Sequence, residues 1–241
     1  MTDSEGETTM LLTYLGQAGF ALEADGTTVL IDPWVTGNPV ATVKADDLRA
    51  DAILLSHAHN DHGIDDARAI SKRTGATVIA TLELGDWLGA QGVTAIPANH
   101  GGTVAFAGGS VKLTPAWHSS SYQTGPDTFV AAGAPAGLMI RFGGMTIYHT
   151  GDTALFRDME LIGEAGIDLM CVCIGDHFTM GPDDAARAVQ FVRPKAVIPM
   201  HYNTFPAIVQ DGEAFKRRIE AEMTGVVCYP LKPGQQHRFG G

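Results

Sequence analysis

Ser56-His57-Ala58-His59-Asn60-Asp61-His62-Gly63 follows directly on a short apolar run, Ala52-Ile53-Leu54-Leu55, and this stretch decides how the chain is read. The apolar run predicts a short buried strand. A strand end, a loop and a helix start in succession present several side chains to one cleft, outside the strand's carboxyl end. Imidazole nitrogen and carboxylate oxygen are the donors that Zn2+ and related first-row divalent ions take. His57 and His59 are two apart and can point to the same side, whereas Asp61 and His62 are adjacent and point elsewhere. That division favours two neighbouring ions over one. A solvated loop that happens to be His-rich is the competing account, but four ligand-type residues at this spacing favour the metal site.

Further ligands are sought at the ends of other apolar runs. His118 follows Val111–Trp117, Asp152 follows Thr146–His149 within His149-Thr150-Gly151-Asp152-Thr153, and His201 follows Ala196–Met200. Each alone reads equally well as a structural or solvated residue. Together with the first cluster they complete a coherent donor set. The rest of the chain alternates strands and helices. Strands are predicted over Leu11–Leu15, Phe20–Glu23, Thr27–Ile31, Thr77–Ala80, Val93–Ile96, Val104–Phe106, Val111–Thr114, Leu138–Phe142, Thr146–His149, Asp168–Ile174, Ala196–Pro199 and Val226–Tyr229. Helices are predicted over Asp61–Arg73, from Pro182, and over Gly212–Thr224. Ser119–Gly137 reads as one long loop, functional or mobile. Residues 1–9 read as a disordered tail and 10–241 as a single domain. Phe20–Asp32 and Leu138–Asp152 echo each other, each a hairpin whose second strand runs into an Asp, which suggests two similar halves.

His-x-His-x-Asp-His at 57–62, followed by single His, Asp and His ligands in that order, resembles the metallo-β-lactamase superfamily over nearly the whole chain. Finer stretches resemble uncharacterised metal-dependent hydrolases near its L-ascorbate-6-phosphate lactonase branch. They are Tyr14-Leu15-Gly16-Gln17-Ala18-Gly19, Ala116-Trp117-His118-Ser119-Ser120, Ile174-Gly175-Asp176-His177-Phe178-Thr179-Met180-Gly181 and Met200-His201-Tyr202-Asn203-Thr204. The resemblance implies an α/β fold, a four-layer αββα sandwich. It implies His57, His59 and His118 on one metal, Asp61, His62 and His201 on the other, and Asp152 bridging both. It also implies that Asp32 orients the ligands from behind.

Two divalent ions are therefore expected, Zn2+ first, with Mn2+ or Fe2+ as alternatives. The chemistry expected of them is hydrolysis by a hydroxide held between the ions, cleaving a small-molecule ester, lactone or phosphodiester. Asp61 and His177 are the catalytic candidates, His177 as substrate binder or proton donor. His149 is a candidate for supporting the ligands, His100 for lining the cleft or serving a turn, and Tyr122 for covering the site as a lid.

The 241 residues carry a net charge of −11 and no dense Lys/Arg cluster, which counts against a nucleic-acid-binding face. An RNA-processing nuclease of the same fold, or a non-heme iron redox enzyme, are the alternative activities. His59 in place of an acidic residue, and the lack of a flavin or rubredoxin-like segment, favour the hydrolase. Cys171, Cys173 and Cys228 sit in apolar runs and read as core residues. The tail lacks a signal-peptide pattern and no apolar run is long enough for a membrane span. A cytoplasmic protein with a small-molecule substrate, no nucleic-acid or membrane partner, and a possible homo-oligomeric state is expected.

Overall fold

The computed structural model describes residues 9–240, so the tail expected over 1–9 lies outside the described residues except for Thr9, which is exposed and irregular. Sixteen strands form among the described residues. The first six are β1 (Met10–Gly16), β2 (Gly19–Ala24), β3 (Thr27–Ile31), β4 (Ala52–Leu54), β5 (Thr77–Thr81) and β6 (Ala95–Ala98). Then come β7 (Thr103–Phe106), β8 (Gly109–Pro115), β9 (Ser121–Gly125), β10 (Thr128–Ala131), β11 (Ala136–Phe142) and β12 (Met145–His149). The last are β13 (Leu169–Cys173), β14 (Ala196–Met200), β15 (Val227–Cys228) and β16 (Gln236–Phe239). The helices are α1 (Ile64–Thr74), α2 (Leu82–Gly89), α3 (Met159–Gly163), α4 (Pro182–Val192) and α5 (Gly212–Glu222).

Two seven-stranded sheets, β16-β1-β2-β3-β4-β5-β6 and β15-β14-β13-β12-β11-β8-β7, stack face to face. Side-chain alternation shows why. Phe20, Leu22, Val29, Ile31, Leu54 and Ile79 of the first sheet pack in the core shared with Leu113, Leu138, Ile140 and Ile147 of the second. Their neighbours Ala21, Leu30, Ile53, Val78 and Ala80 point the other way and pack with Ile64, Ala67 and Ile70 of α1 and Leu84 and Leu88 of α2. A period of two along each strand therefore buries both faces. On the second sheet, β13 is buried along its whole length, as a central parallel strand covered on both faces should be. Helices α4 and α5 cover it through Ala185, Ala188, Val189, Phe215 and Ile219. The result is the αββα sandwich.

Both sheets change from antiparallel to parallel pairing at matching points. In the first, β2 pairs antiparallel with β3, and β3, β4, β5 and β6 then run parallel. In the second, β11 pairs antiparallel with β12, and β12, β13, β14 and β15 run parallel. The echo between Phe20–Asp32 and Leu138–Asp152 is thus an echo of topology. Parallel register also aligns the strand ends. Ile31 lies opposite Leu54, and His149 opposite Cys171, itself opposite Ile198. Residues just beyond these rows, Asp32 and His57 on one sheet and Asp152 and His201 on the other, are delivered to one end of the sandwich.

Several elements differ from expectation. The helix expected from Asp61 begins instead at Ile64, after a 3-10 turn over Asn60–His62 and a left-handed Gly63. That break keeps Asp61 and His62 in the loop. The long loop Ser119–Gly137 contains a hairpin, β9 and β10, with Tyr122 opposite Val130 and Ala131 opposite Ser121, turning at Pro126-Asp127, a turn pair by composition. Tyr122 is not a lid. It is buried, its hydroxyl donates to Asp65 at 2.8 Å, and its ring lies 4.8 Å from that of Trp87. Strand β16 and helix α3 had no counterpart in the sequence reading. The three cysteines are free and buried, as expected of core residues. Among the described residues no helix is long and apolar enough to cross a membrane.

Gly63 has φ +78°, and a Cβ there would lie 2.4 Å from the Trp34 backbone nitrogen. Gly63→Ala is therefore expected to destabilise the fold by about 2–4 kcal/mol, combining a left-handed alanine with overpacking against backbone. Urea unfolding of the variant beside the wild type measures it.

Candidate metal centre

The loop after β4 carries His57, His59, Asp61 and His62. His118 follows β8, Asp152 follows β12 and His201 follows β14. The fold brings all seven to one place. The ligand-capable atoms of His57, His59, His118 and Asp152 lie within 4.8 Å of one another, and so do those of Asp61, His62 and His201. Asp152 Oδ2 is the hub, 3.0 Å from His201 Nε2, 3.3 Å from His62 Nε2, 3.6 Å from His118 Nε2 and 3.9 Å from His57 Nε2. His57 Nε2 and His59 Nδ1 are 3.0 Å apart, and His201 Nε2 and Asp61 Oδ2 are 3.9 Å apart. His57, His59 and His118 thus lie together, as do Asp61, His62 and His201, with Asp152 in the first group and its Oδ2 also 3.0 Å from His201 Nε2.

Behind the donors stands a layer that holds them. Asp32 Oδ2 meets His62 Nδ1 at 2.8 Å and accepts from the Ser56 hydroxyl at 2.5 Å, while its Oδ1 accepts from the Ser56 backbone N–H at 2.8 Å. Ser56 Oγ in turn lies 2.9 Å from His57 Nδ1. One carboxylate thus orients two imidazoles from the rear. His149 is buried at the end of β12, with Nε2 2.9 Å from the Ala18 carbonyl and Nδ1 accepting from Gly151 N–H at 3.1 Å. It supports the turn that presents Asp152.

Gln17, in the β1–β2 turn within Tyr14-Leu15-Gly16-Gln17-Ala18-Gly19, belongs to this layer. It is fully buried, and its Nε2 donates to Asp61 Oδ2 at 2.8 Å. Its carbonyl accepts from His201 N–H at 2.7 Å and from the Tyr14 hydroxyl at 2.9 Å. One residue therefore ties a donor side chain from the first sheet to a donor backbone from the second. An isolated amide in an apolar strand–turn–strand stretch was the available signal.

The electrostatics suit cations. Burial holds His57 well below the ordinary histidine pKa, and the neighbouring His62 adds to this. Burial and the crowding of imidazoles likewise lower His59 and His118. These rings are neutral, with lone pairs free to donate. Burial acts to lower His62 as well, but Asp152 and Asp32 on either side hold it well above its usual value. Asp152 is held well below the ordinary carboxylate value, because the pull of His201 and His62 overcomes its burial. His62 Nε2 and Asp152 Oδ1 are buried without hydrogen-bond partners. Buried polar atoms left this way are costly unless something pairs with them, and divalent cations fit the donor set present.

The centre opens into a cleft of about 740 Å3, lined on its floor by His59, Asp61, His118, Asp152 and His201. His177 does not line it. The ring is exposed, edge-on to Phe178 at 4.4 Å, and it is Phe178 that reaches the cleft. Left-handed backbone at Asp176 and His177 turns the chain so that the imidazole faces out. His100 is also elsewhere, its Nε2 2.8 Å from the Pro135 carbonyl. His237 stacks on Tyr229 at 4.1 Å.

A sandwich with parallel strand ends converging on five imidazoles and two carboxylates defines a metal-binding protein of the αββα class. The pattern of the beta-lactamase superfamily domain matches residues 11–201, and the chain belongs to the metallo-β-lactamase superfamily, among its metal-dependent hydrolases. It is 49% identical to a UPF0173 metal-dependent hydrolase of Thermus thermophilus over 94% of this chain and 97% of that one. It is 43% identical to a UPF0173 metal-dependent hydrolase of Archaeoglobus fulgidus over 95% and 99% of the two chains. Among solved structures it resembles Igni18, a metallo hydrolase from Ignicoccus hospitalis, with a TM-score of 0.86 and 37% identity over 96% of this chain and 98% of that one.

Removing the Gln17 amide leaves Asp61 without its buried donor. Gln17→Ala is expected to weaken metal retention by about 10–100-fold, the usual cost of losing a group that orients a ligand. Metal content after dialysis against graded chelator concentrations reads this, with wild-type urea stability of the metal-free protein as the control.

Proposed function

We propose that the chain hydrolyses a small-molecule ester, lactone or phosphodiester with the help of two divalent ions, Zn2+ being the first choice. The observation that carries this reading is the arrangement of seven donors in two groups around Asp152 Oδ2, with buried polar atoms unpartnered, at the floor of an open cleft. His57, His59, His118 and Asp152 would hold one ion and Asp61, His62 and His201 the other, with Asp152 between them. Bound there, such ions supply Lewis acidity toward a substrate oxygen and acidify a water toward neutrality. A His-rich set with carboxylates suits Zn2+, and also accepts Mn2+ or Fe2+.

The chain's own residues do the positioning. Asp32 and Ser56 fix the ring planes of His62 and His57, so their Nε2 atoms are turned toward Asp152 Oδ2. Gln17 holds Asp61 while leaving part of that carboxylate toward the cleft, where it can also accept a proton from water. Ser119 Oγ lies 3.3 Å from His59 Nε2, on the far side of that ring from His57. A cysteine nucleophile does not fit. Cys171 and Cys173 are buried in β13, and burial pushes both thiols up, away from thiolate.

Two tests bear on this reading. Asp61→Ala and His118→Ala each delete one donor from a different group, so each is expected to lower bound metal measurably in elemental analysis of the purified protein, with hydrolysis falling in parallel. Full metal content in both variants would contradict the assignment. His177→Ala is expected to change turnover by less than about tenfold, against the 10²–10⁴-fold typical of a proton-transferring group. A larger loss at unchanged metal content would return His177 to the role expected from sequence.

A further inference from the structure

The cleft has two chemically distinct parts. Among the described residues, every polar side chain lining it is a candidate metal donor except Ser119, and no Lys or Arg lines it. The remaining wall is apolar, made by Phe178, Phe205, Pro206 and Ala207. That wall is built rather than incidental. Phe205 lies 5.9 Å from Trp34, ring to ring, at 31°. The short 3-10 turn Pro206–Ile208 is anchored by fully buried Ile208, whose carbonyl accepts from Asn203 N–H at 2.9 Å. Asn203 then accepts from Gln210 N–H at 2.9 Å. Phe178, on the same lining, is 53% exposed and free to meet a ligand.

A substrate bearing a phosphate or carboxylate away from its reacting centre would bring that charge against this wall with no cation to pair it, and burying an unpaired charge is costly. The net charge of −11 adds an unfavourable long-range field for anions. Apolar surface gains by the same contact, and the cleft falls within the usual size range for small-molecule sites. We infer that the substrate is a neutral carboxylic ester or lactone with an apolar body, alkyl or aromatic, seated between Phe178 and Phe205, its carbonyl at the donor floor. This rests on the hydrolytic reading above and disfavours substrates that carry a second, anionic group away from the reacting centre. In the reaction a water oxygen bonds to the carbonyl carbon and the acyl C–O bond breaks. One water proton goes to the leaving oxygen and the other is released as the acid ionises, giving a carboxylate and an alcohol.

The test measures equilibrium binding of linear hydroxamic acids, from acetohydroxamate to octanohydroxamate, to Zn2+-loaded protein. Suberic monohydroxamate, of the same length as the longest probe but ending in a carboxylate, is the charged counterpart. Wild-type affinity is expected to rise about three- to fourfold per methylene, and the carboxylate-ended probe to bind at least about tenfold more weakly than octanohydroxamate, because its charge meets no partner. Phe178→Ala and Phe205→Ala should each flatten the dependence on chain length while retaining bound metal. Phe178→Ala removes a half-exposed ring and keeps the test valid should Phe205→Ala fold poorly. A flat length dependence in the wild type, or equal binding of the charged probe, overturns the inference. Flat binding together with phosphodiester turnover would overturn it while leaving the hydrolytic reading intact. Steep length dependence with no turnover of any ester, lactone or phosphodiester would keep the apolar seat and sink the hydrolytic reading, and failure of every hydroxamate to bind would overturn the inference.

Discussion

His62 is buried between two carboxylates, Asp32 at its Nδ1 and Asp152 at its Nε2, and each carboxylate comes from a different sheet. Asp32 leaves β3 and Asp152 leaves β12, the two strands at which antiparallel pairing gives way to parallel pairing. The imidazole therefore joins the two halves of the sandwich at their equivalent points. A buried charged group that loses its partner costs about 3–5 kcal/mol, so this ladder ties the relative position of the sheets to the site. Any drift of one sheet over the other would break it. The same contact places Asp152 Oδ2 near four imidazoles at once, which is why one carboxylate can serve two groups of donors.

Strained backbone surrounds this ladder. Gln17, Asp32 and His201 all have positive φ without being glycine, at 54°, 39° and 56°. Conformations of that kind cost about 1–3 kcal/mol each and persist where neighbours over-determine them. Here the neighbours are identifiable. Asp32 N–H donates to the Leu54 carbonyl at 3.0 Å and His201 N–H to the Gln17 carbonyl at 2.7 Å. At Gly175, two residues beyond β13, a Cβ would lie 2.2 Å from the His201 carbonyl, so the close approach of that turn requires glycine. Stability is given up locally so that side chains leaving different strands reach a common point.

This explains what was legible in the sequence. Strand ends rich in His and Asp after short apolar runs are a local signal, and all seven donors carry it. Alternation along β2, β3 and β4 is local too, and it marks both buried faces. Gln17 is different, because its importance lies in contacts to Asp61, 44 residues away, and to His201. Nothing in a turn of small residues announces a partner so distant. The outward turn of His177 depends on backbone angles at two successive residues, which composition does not encode. Strand β16 was missed because Gln236-His237-Arg238-Phe239 is a polar edge strand, recognisable only through its pairing with β1. The hairpin within Ser119–Gly137 was hidden for a similar reason. Its exposed strand residues are Gln123, Thr124, Thr128, Phe129 and Ala131, and its one strong anchor, Tyr122, is buried by Trp87 and Asp65 from elsewhere in the chain.

Charge accounting links the floor of the cleft to its wall. Two carboxylates stand among five imidazoles at the floor, in a protein that is itself acidic. Among the described residues, no Lys or Arg extends along the cleft from these donors. Phe178 follows β13 and Phe205 follows β14, so the wall grows from the same parallel strand ends that deliver the donors. Strand order on the second sheet thus sets both where the donors converge and which apolar groups lie beside them.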